Sequence, residues 1–196
     1  EVFPPWDCLP FDSASPTPGA MGRRMAVLWR LVSAGQGVTV IVPLRALLQR
    51  LPPREAVRGM RLVRGEPVDA EALQAFCLET GYLPDDRIDE PGEVAFRNGT
   101  VEIFAAGADL PCRIDIAEGI VAAIRRFDPA SQRSVAEIDS LDLAPVTELP
   151  PSDGERERAA EHRLPQAYDR LTVLMDHLPG ARLTSTSAAL QAAEPA

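Results

Sequence analysis

Residues 93–103 read EVAFRNGTVEI, a stretch in which apolar side chains recur at a regular spacing. Apolar side chains occupy every second position on either side of an Asn-Gly pair: Val94, Phe96, Val101 and Ile103. A period of two indicates strands with one buried face. The pair Asn98-Gly99 is the one that a type I′ hairpin turn prefers. The stretch therefore predicts a β-hairpin.

The same alternation continues on the C-terminal side of the hairpin in the segment 112–116, and the segments 120–124 and 138–143 are further strand candidates. On the N-terminal side, residues 61–64 are a short extended candidate, and Asp69 is a plausible cap for a helix over 70–80. Residues 61–148 thus predict a compact, mostly antiparallel sheet with one covering helix.

The first 60 residues have a different texture. Trp6 and Phe11 are expected to anchor an irregular lead-in, and residues 21–34 show helical spacing that Gly35 ends. VTVIV at 38–42 is typical of a strand buried on both faces, as in a parallel sheet. With a short helix predicted over 44–51, this segment indicates part of an α/β domain.

The C-terminal segment opens with a charged stretch, residues 150–163, which begins with two prolines and is a natural boundary. Residues 164–178 then predict one amphipathic helix.

Composition disfavours several classes of function. The net charge is −9, so a stand-alone nucleic-acid binder, which normally shows a basic footprint, is not favoured. All 20 basic residues are arginine, which excludes a phosphate-loop lysine. No apolar run approaches the roughly 18 residues that span a membrane. The three dispersed cysteines are interpreted as free thiols in a reducing cytoplasm: Cys8, Cys77 and Cys112.

Most candidate reactive groups have a surface interpretation. The acidic cluster lacks calcium-loop spacing and is bracketed by prolines, so it predicts a solvated loop: Asp85, Asp86, Asp89 and Glu90. His162 and His177 are expected on the surface near helix C-termini. Glu93 and Glu102 are expected as exposed charges on facing strands. With no reactive constellation, a hydrolase is not supported.

Arg97 differs, because it directly precedes the hairpin turn beside Phe96, with Arg87 in the approach loop. An exposed arginine next to an aromatic on a rigid hairpin is typical of a protein-interface anchor. A solvated strand arginine remains the alternative.

The stretch 124–135, IRRFDPASQRSV, carries unusual chemistry for a turn. Asp128 before Pro129 favours turn initiation, and Gln132 with Arg133 can satisfy loop carbonyls. We interpret it as a structural turn, with Phe127 beneath it, that leads into the strand at 138–143.

The order of these motifs resembles the bacterial transcription-repair coupling factor family and its relative UvrB. The resemblance rests on the stretches WDCLPFD at 6–12, VPLRALLQRLP at 42–52, Gly81-Tyr82, Pro91-Gly92-Glu93, Arg97 with Gly99, Glu102-Ile103-Phe104, Arg113-Ile114 and IRRFDPASQRS at 124–134. It covers about residues 4–148, with Pro145 and Glu148 in the closing motif.

By this resemblance, residues 1–60 are part of a degenerate helicase-like α/β segment, and 61–148 are an interaction module that binds the damage sensor UvrA. Residues 149–196 are a linker and the start of the next α/β segment. The implied partner-binding residues are Arg97, Phe96, Arg87 and Gly99. The segment implies no catalysis and no cofactor, because ATP hydrolysis belongs to other parts of such DNA translocases.

Two departures keep an alternative open. Arg97-Asn98-Gly99 stands where the family has Arg-Gly-Gly, and Leu83-Pro84 stands where UvrA-binding relatives carry a basic residue after Gly-Tyr. The alternative is a structural or autoinhibitory brace of a diverged paralogue, which packs against the remainder of its own chain and does not bind UvrA.

Overall fold

The computed structural model describes residues 1–9, 13–33, 37–151 and 159–185. Phe11 and Gly35, the predicted lead-in anchor and helix stop, lie outside these ranges. The helices are α1 (Pro18–Ser33), α2 (Leu44–Leu47), α3 (Ala70–Glu79) and α4 (Leu164–Ala167), with short 3-10 turns at Arg54–Ala56, Ala160–Arg163 and Leu174–His177. The strands are β1 (Met60–Val63), β2 (Leu83–Pro84), β3 (Glu93–Arg97), β4 (Thr100–Ile103), β5 (Cys112–Ala117), β6 (Ile120–Phe127), β7 (Ser134–Glu137) and β8 (Ser140–Leu143). The fold class is mixed α/β, as predicted.

A six-stranded sheet forms the centre of the fold, in the order β2-β3-β4-β5-β6-β7. It is antiparallel except for the short edge strand β2, which runs parallel to β3. Helix α3 covers one face and packs Leu73 and Cys77 into the main core. The Asp69 carboxylate accepts hydrogen bonds from the backbone N–H groups of Glu71 and Ala72, which confirms the predicted helix cap.

The opposite sheet face is covered in part by a small second core: Ile88, Ala95, Phe104 and Phe127. Strands β1 and β8 pair separately as an antiparallel ribbon, from Met60 with Leu143 to Val63 with Ser140. The predicted strand at 138–143 is therefore wrong at its start. Its first residue, Ile138, still donates a backbone hydrogen bond to Ile124 of β6, whereas β8 begins at Ser140 and pairs with β1.

The first segment has its own core around α1, and the predicted doubly buried strand at 38–42 is wrong. Val38, Val40 and Val42 pack against that core, but Ile41 is 64% exposed. The segment forms one parallel bridge, between Val2 and Ile41. It is covered on one side only, so burial alternates along it.

The predicted helix over 164–178 is also wrong. Only α4 and the 3-10 turn Leu174–His177 are helical, and between them Thr172 exchanges backbone hydrogen bonds with Leu51. A helix cannot offer those groups to a distant strand segment, so the long-range pairing prevails over local spacing. His177, expected on the surface, is 1% exposed, and its Nε2 lies 3.1 Å from both the Thr172 hydroxyl and the Pro52 carbonyl oxygen.

A buried ion pair joins the first segment to the residues after β8. The Arg24 Nε donates to Glu148 Oε1, and both residues are fully buried. The Arg24 Nη1 donates to the Pro4 carbonyl at 2.7 Å and to Gln49 Oε1 at 2.8 Å. The Trp6 indole N–H donates to the same Glu148 oxygen at 3.2 Å. Charges this deep are tolerated because they are paired and hydrogen-bonded.

Candidate interaction surface

The β3–β4 hairpin places Arg97 at its tip, paired in register with Thr100. The loop is not the predicted type I′ turn, because Gly99 alone of its two residues has a positive φ, 75°. Two successive positive φ values occur instead at Glu118-Gly119. The Ile116 N–H donates to the Gly99 carbonyl at 2.8 Å, and a Cβ at Gly99 would lie 3.3 Å from the Ile116 oxygen. Glycine there permits β5 to approach the hairpin tip.

The Arg97 guanidinium is held through one nitrogen. Its Nη2 donates to the Asp86 carbonyl at 2.7 Å and lies 3.7 Å from Glu102 Oε2. The side chain is 56% exposed. In the ranges that the structure covers, Nε and Nη1 contact no hydrogen-bond or ion-pair partner. Arg97 therefore presents an oriented cation with free donors to solvent.

Glu102, expected as an exposed charge, is 5% exposed. It lies directly opposite Arg113 on β5, and the Arg113 Nε and Nη2 are each 2.6 Å from Glu102 Oε1. The Arg113 guanidinium in turn lies over the Phe127 ring, 5.1 Å from its centre. Pairing explains the burial of the carboxylate. The burial of Glu102 depends on its pairing with Arg113 across β4 and β5. No pattern of neighbouring residues in the sequence predicts that pairing.

Phe96 lies on the other face of the sheet from Arg97, because successive strand residues alternate. It is half-buried against the main core. Both residues nevertheless border one groove of about 560 Å³ beside α3, where the short strand β2 no longer covers β3. The other residues that border this groove include Leu78, Pro84, Asp85 and Asp86. The structure thus places Phe96 in the floor of a groove that Arg97 flanks.

The acidic loop at 85–90 is exposed, as predicted, and is fixed from below. Ile88 is fully buried in the second core. The Glu93 carboxylate accepts hydrogen bonds from the backbone N–H groups of Asp89 (2.9 Å) and Glu90 (2.8 Å). These contacts hold the loop over the sheet face, so the Asp86 carbonyl has a defined place.

Arg87 shares this surface with Arg97 but points toward another part of it. Its Nε lies 3.3 Å from the Asp89 carboxylate, and its Nη2 donates to the Pro129 carbonyl at 3.4 Å. The loop thus connects the hairpin tip, through Asp86, to the turn after β6, through Arg87. Neither arginine contacts the other.

The turn after β6 is built as predicted, although it leads into β7 rather than into the strand at 138–143. The Asp128 carboxylate accepts hydrogen bonds from the Ser131 N–H at 2.7 Å and hydroxyl at 2.6 Å. These bonds lower the pKa of Asp128. The Gln132 amide donates to the Pro129 carbonyl at 2.7 Å, and Phe127 is fully buried. The polar residues therefore serve the geometry of the turn.

The described part of the structure supports neither reactive thiols at Cys77 and Cys112 nor a metal site. Burial raises the pKa of Cys77 to about 12 and that of Cys112 to about 11, so both thiols are protonated near neutral pH. Among the residues with described positions, no cluster of three His, Cys, Asp or Glu side chains is arranged to hold a metal ion. In the same ranges, no helix has the length and apolar character needed to cross a membrane.

The UvrB interaction domain family matches residues 60–149. The chain is similar to the transcription-repair-coupling factors of Escherichia coli (34% identical over 147 residues, 74% of this chain), Haemophilus influenzae (31% over 154 residues, 78%) and Bacillus subtilis (28% over 162 residues, 82%). It spans 13% to 14% of the length of these relatives.

Proposed function

The chain belongs to the transcription-repair-coupling factor family and contains its UvrB interaction domain, and from this membership we propose that it recruits the damage sensor UvrA in transcription-coupled DNA repair. In this proposal the chain acts in the bacterial cytoplasm by binding alone. ATP hydrolysis and DNA translocation are assigned to other parts of the parent protein.

The observation that supports the proposal most is the presentation of Arg97. Its guanidinium is anchored through Nη2, and its remaining donors point to solvent from the tip of a hairpin paired on both sides. Arginine is enriched at interface positions that dominate binding energy, because its planar fork matches carboxylates and carbonyl groups. A preorganised side chain also loses less conformational entropy when the partner binds.

The groove beside α3 supplies the apolar part of the proposed contact. Leu78 on α3 borders the groove and is 42% exposed. Leu83 lies on the neighbouring edge strand β2 and is 61% exposed. Phe96 borders the same groove, together with Arg97. An apolar anchor beside an oriented cation is the usual composition of a small protein interface.

A second candidate function is a brace that packs against the remainder of its own chain. Leu83 and Pro84 are exposed at the position where the resemblance expects a basic residue, and this favours an apolar contact. In that case the groove is occupied within the parent protein, and Arg97 serves no external partner.

The two functions are separated by calorimetric titration of the chain with UvrA from the organism that encodes it. We expect binding at micromolar concentration or tighter, and a loss of affinity of at least tenfold for Arg97→Ala. Arg61→Ala is the matched control, because Arg61 is similarly exposed on β1, where it pairs with Asp142. No binding at high micromolar concentrations of folded proteins would favour the brace.

A further inference from the structure

We propose that Glu102 is a positioning residue, which fixes the orientation of Arg97 for acceptor oxygens of the partner without contacting the partner itself. This inference rests on the proposed function, in which Arg97 anchors the complex. It concerns a residue whose side chain is 6% exposed and is therefore unavailable for direct contact.

The two oxygens of Glu102 have different roles. Oε1 accepts from Nε and Nη2 of Arg113, each at 2.6 Å, so one edge of the Arg113 guanidinium holds this oxygen in place. Oε2 is then left facing Arg97, 3.7 Å from its Nη2. Since the carboxylate cannot rotate without breaking the Arg113 contacts, the direction of its second oxygen is set by β5 and not by the hairpin.

A chain of contacts connects this carboxylate to the protein interior. Arg113 lies over the ring of Phe127, and Phe127 is fully buried beneath the turn after β6. The exposed guanidinium of Arg97 is thus connected to the core through the side chains of Glu102, Arg113 and Phe127, which lie on the neighbouring strands β4, β5 and β6.

Arg97 receives a second contact from the Asp86 carbonyl, at 2.7 Å. The carbonyl and the carboxylate both engage Nη2, so Nε and Nη1 are the nitrogens left to donate to a partner. Their N–H groups do not lie on one edge of the guanidinium, because the Nε–H points to the Nη2 side. The geometry therefore points to acceptor oxygens of the partner that each nitrogen contacts singly.

The first experiment measures Arg97 in the free chain. In ¹⁵N NMR spectra the rotation of the Arg97 guanidinium about its Nε–Cζ bond is expected to be slow, and to become at least several-fold faster in Glu102→Gln. Arg125→Gln is the matched control, because Arg125 pairs with Asp115 on the same sheet face and contacts neither Glu102 nor Arg97. Equal rotation rates in the wild type and in Glu102→Gln would overturn the inference, whether or not UvrA binds.

The second experiment is a double-mutant cycle for binding to UvrA. We expect Glu102→Gln to weaken binding about fivefold, and the addition of Glu102→Gln to Arg97→Ala to cause no further loss. Independent, multiplying losses would refute positioning. If Glu102→Gln is too unstable to assay, Arg113→Gln tests the same contact, because it frees the carboxylate to rotate. If the wild-type chain does not bind UvrA, the proposed function is refuted. The positioning of Arg97 by Glu102 is still tested by the NMR experiment, which uses the free chain.

Discussion

Replacement of Glu148 by glutamine tests whether the buried pair with Arg24 holds the two parts of the chain together. The substitution preserves the shape of the side chain and removes the negative charge. Both partners are fully buried, so the Arg24 guanidinium would be left without a counter-charge. Breaking such a pair from one side costs about 3–5 kcal/mol. For a chain of this length each kcal/mol shifts the melting temperature by about 2–4 °C, so we expect a decrease of about 6–20 °C.

Urea unfolding followed by tryptophan fluorescence is a suitable assay, because the Trp6 indole itself donates to Glu148. The double variant Arg24→Met/Glu148→Leu removes both charges and should recover most of the loss, since apolar replacements of a whole buried pair are often neutral or stabilising. Arg30→Gln is the control: it removes an exposed pair with Glu1 and should cost less than about 1 kcal/mol. A Glu148→Gln variant as stable as the control would refute the reasoning.

Three further predictions test other parts of the fold. Phe127→Ala removes a fully buried ring and should cost about 3 kcal/mol in urea unfolding; an unchanged midpoint would contradict its role beneath the turn. Burial lowers the pKa of His177, so the unfolded state binds its proton first and stability should fall as the pH drops below 6.5. Unfolding at pH 5.5 and 7.5 measures this, and His177→Gln should flatten the difference; an equally steep dependence in that variant would assign it to other groups. A Cβ at Gly59 would lie 2.4 Å from Trp29 Cδ2, so Gly59→Ala should cost about 1–3 kcal/mol, whereas Gly19→Ala, with open space around it, should be tolerated. Equal melting temperatures for the two glycine variants would show that the indole moves aside freely.

Local patterns predicted the fold where the partners of a residue are close in sequence. The alternation around Asn98-Gly99 gives a hairpin, and the Asp69 cap gives a helix start, because each depends on neighbours within a few residues. The helix predicted over 164–178 failed because Thr172 pairs with Leu51, far away in the chain. Apolar spacing cannot distinguish a helix from an extended segment that follows a distant partner.

In the candidate site, too, features that depend on sequence neighbours could be predicted, and features that depend on distant residues could not. The exposure of Arg97 could be predicted from its place before a turn. Its orientation could not, because it depends on the Asp86 carbonyl and on Glu102, which Arg113 holds from the next strand. The burial of Glu102 follows from strand register, and register becomes known only when the whole sheet is assembled.

The ribbon of β1 and β8 has a consequence for how this protein can be rearranged. Met60 and Leu143 are direct partners, so the chain enters and leaves the region between them at adjacent points. For the flanking segments, this whole region is equivalent to a short loop, because closure entropy depends on the separation of the ends and only weakly on the residues between them. A host protein that offers two neighbouring strand ends could therefore accept the region as a cassette, and its removal at the ribbon would leave a gap that a tight turn can bridge.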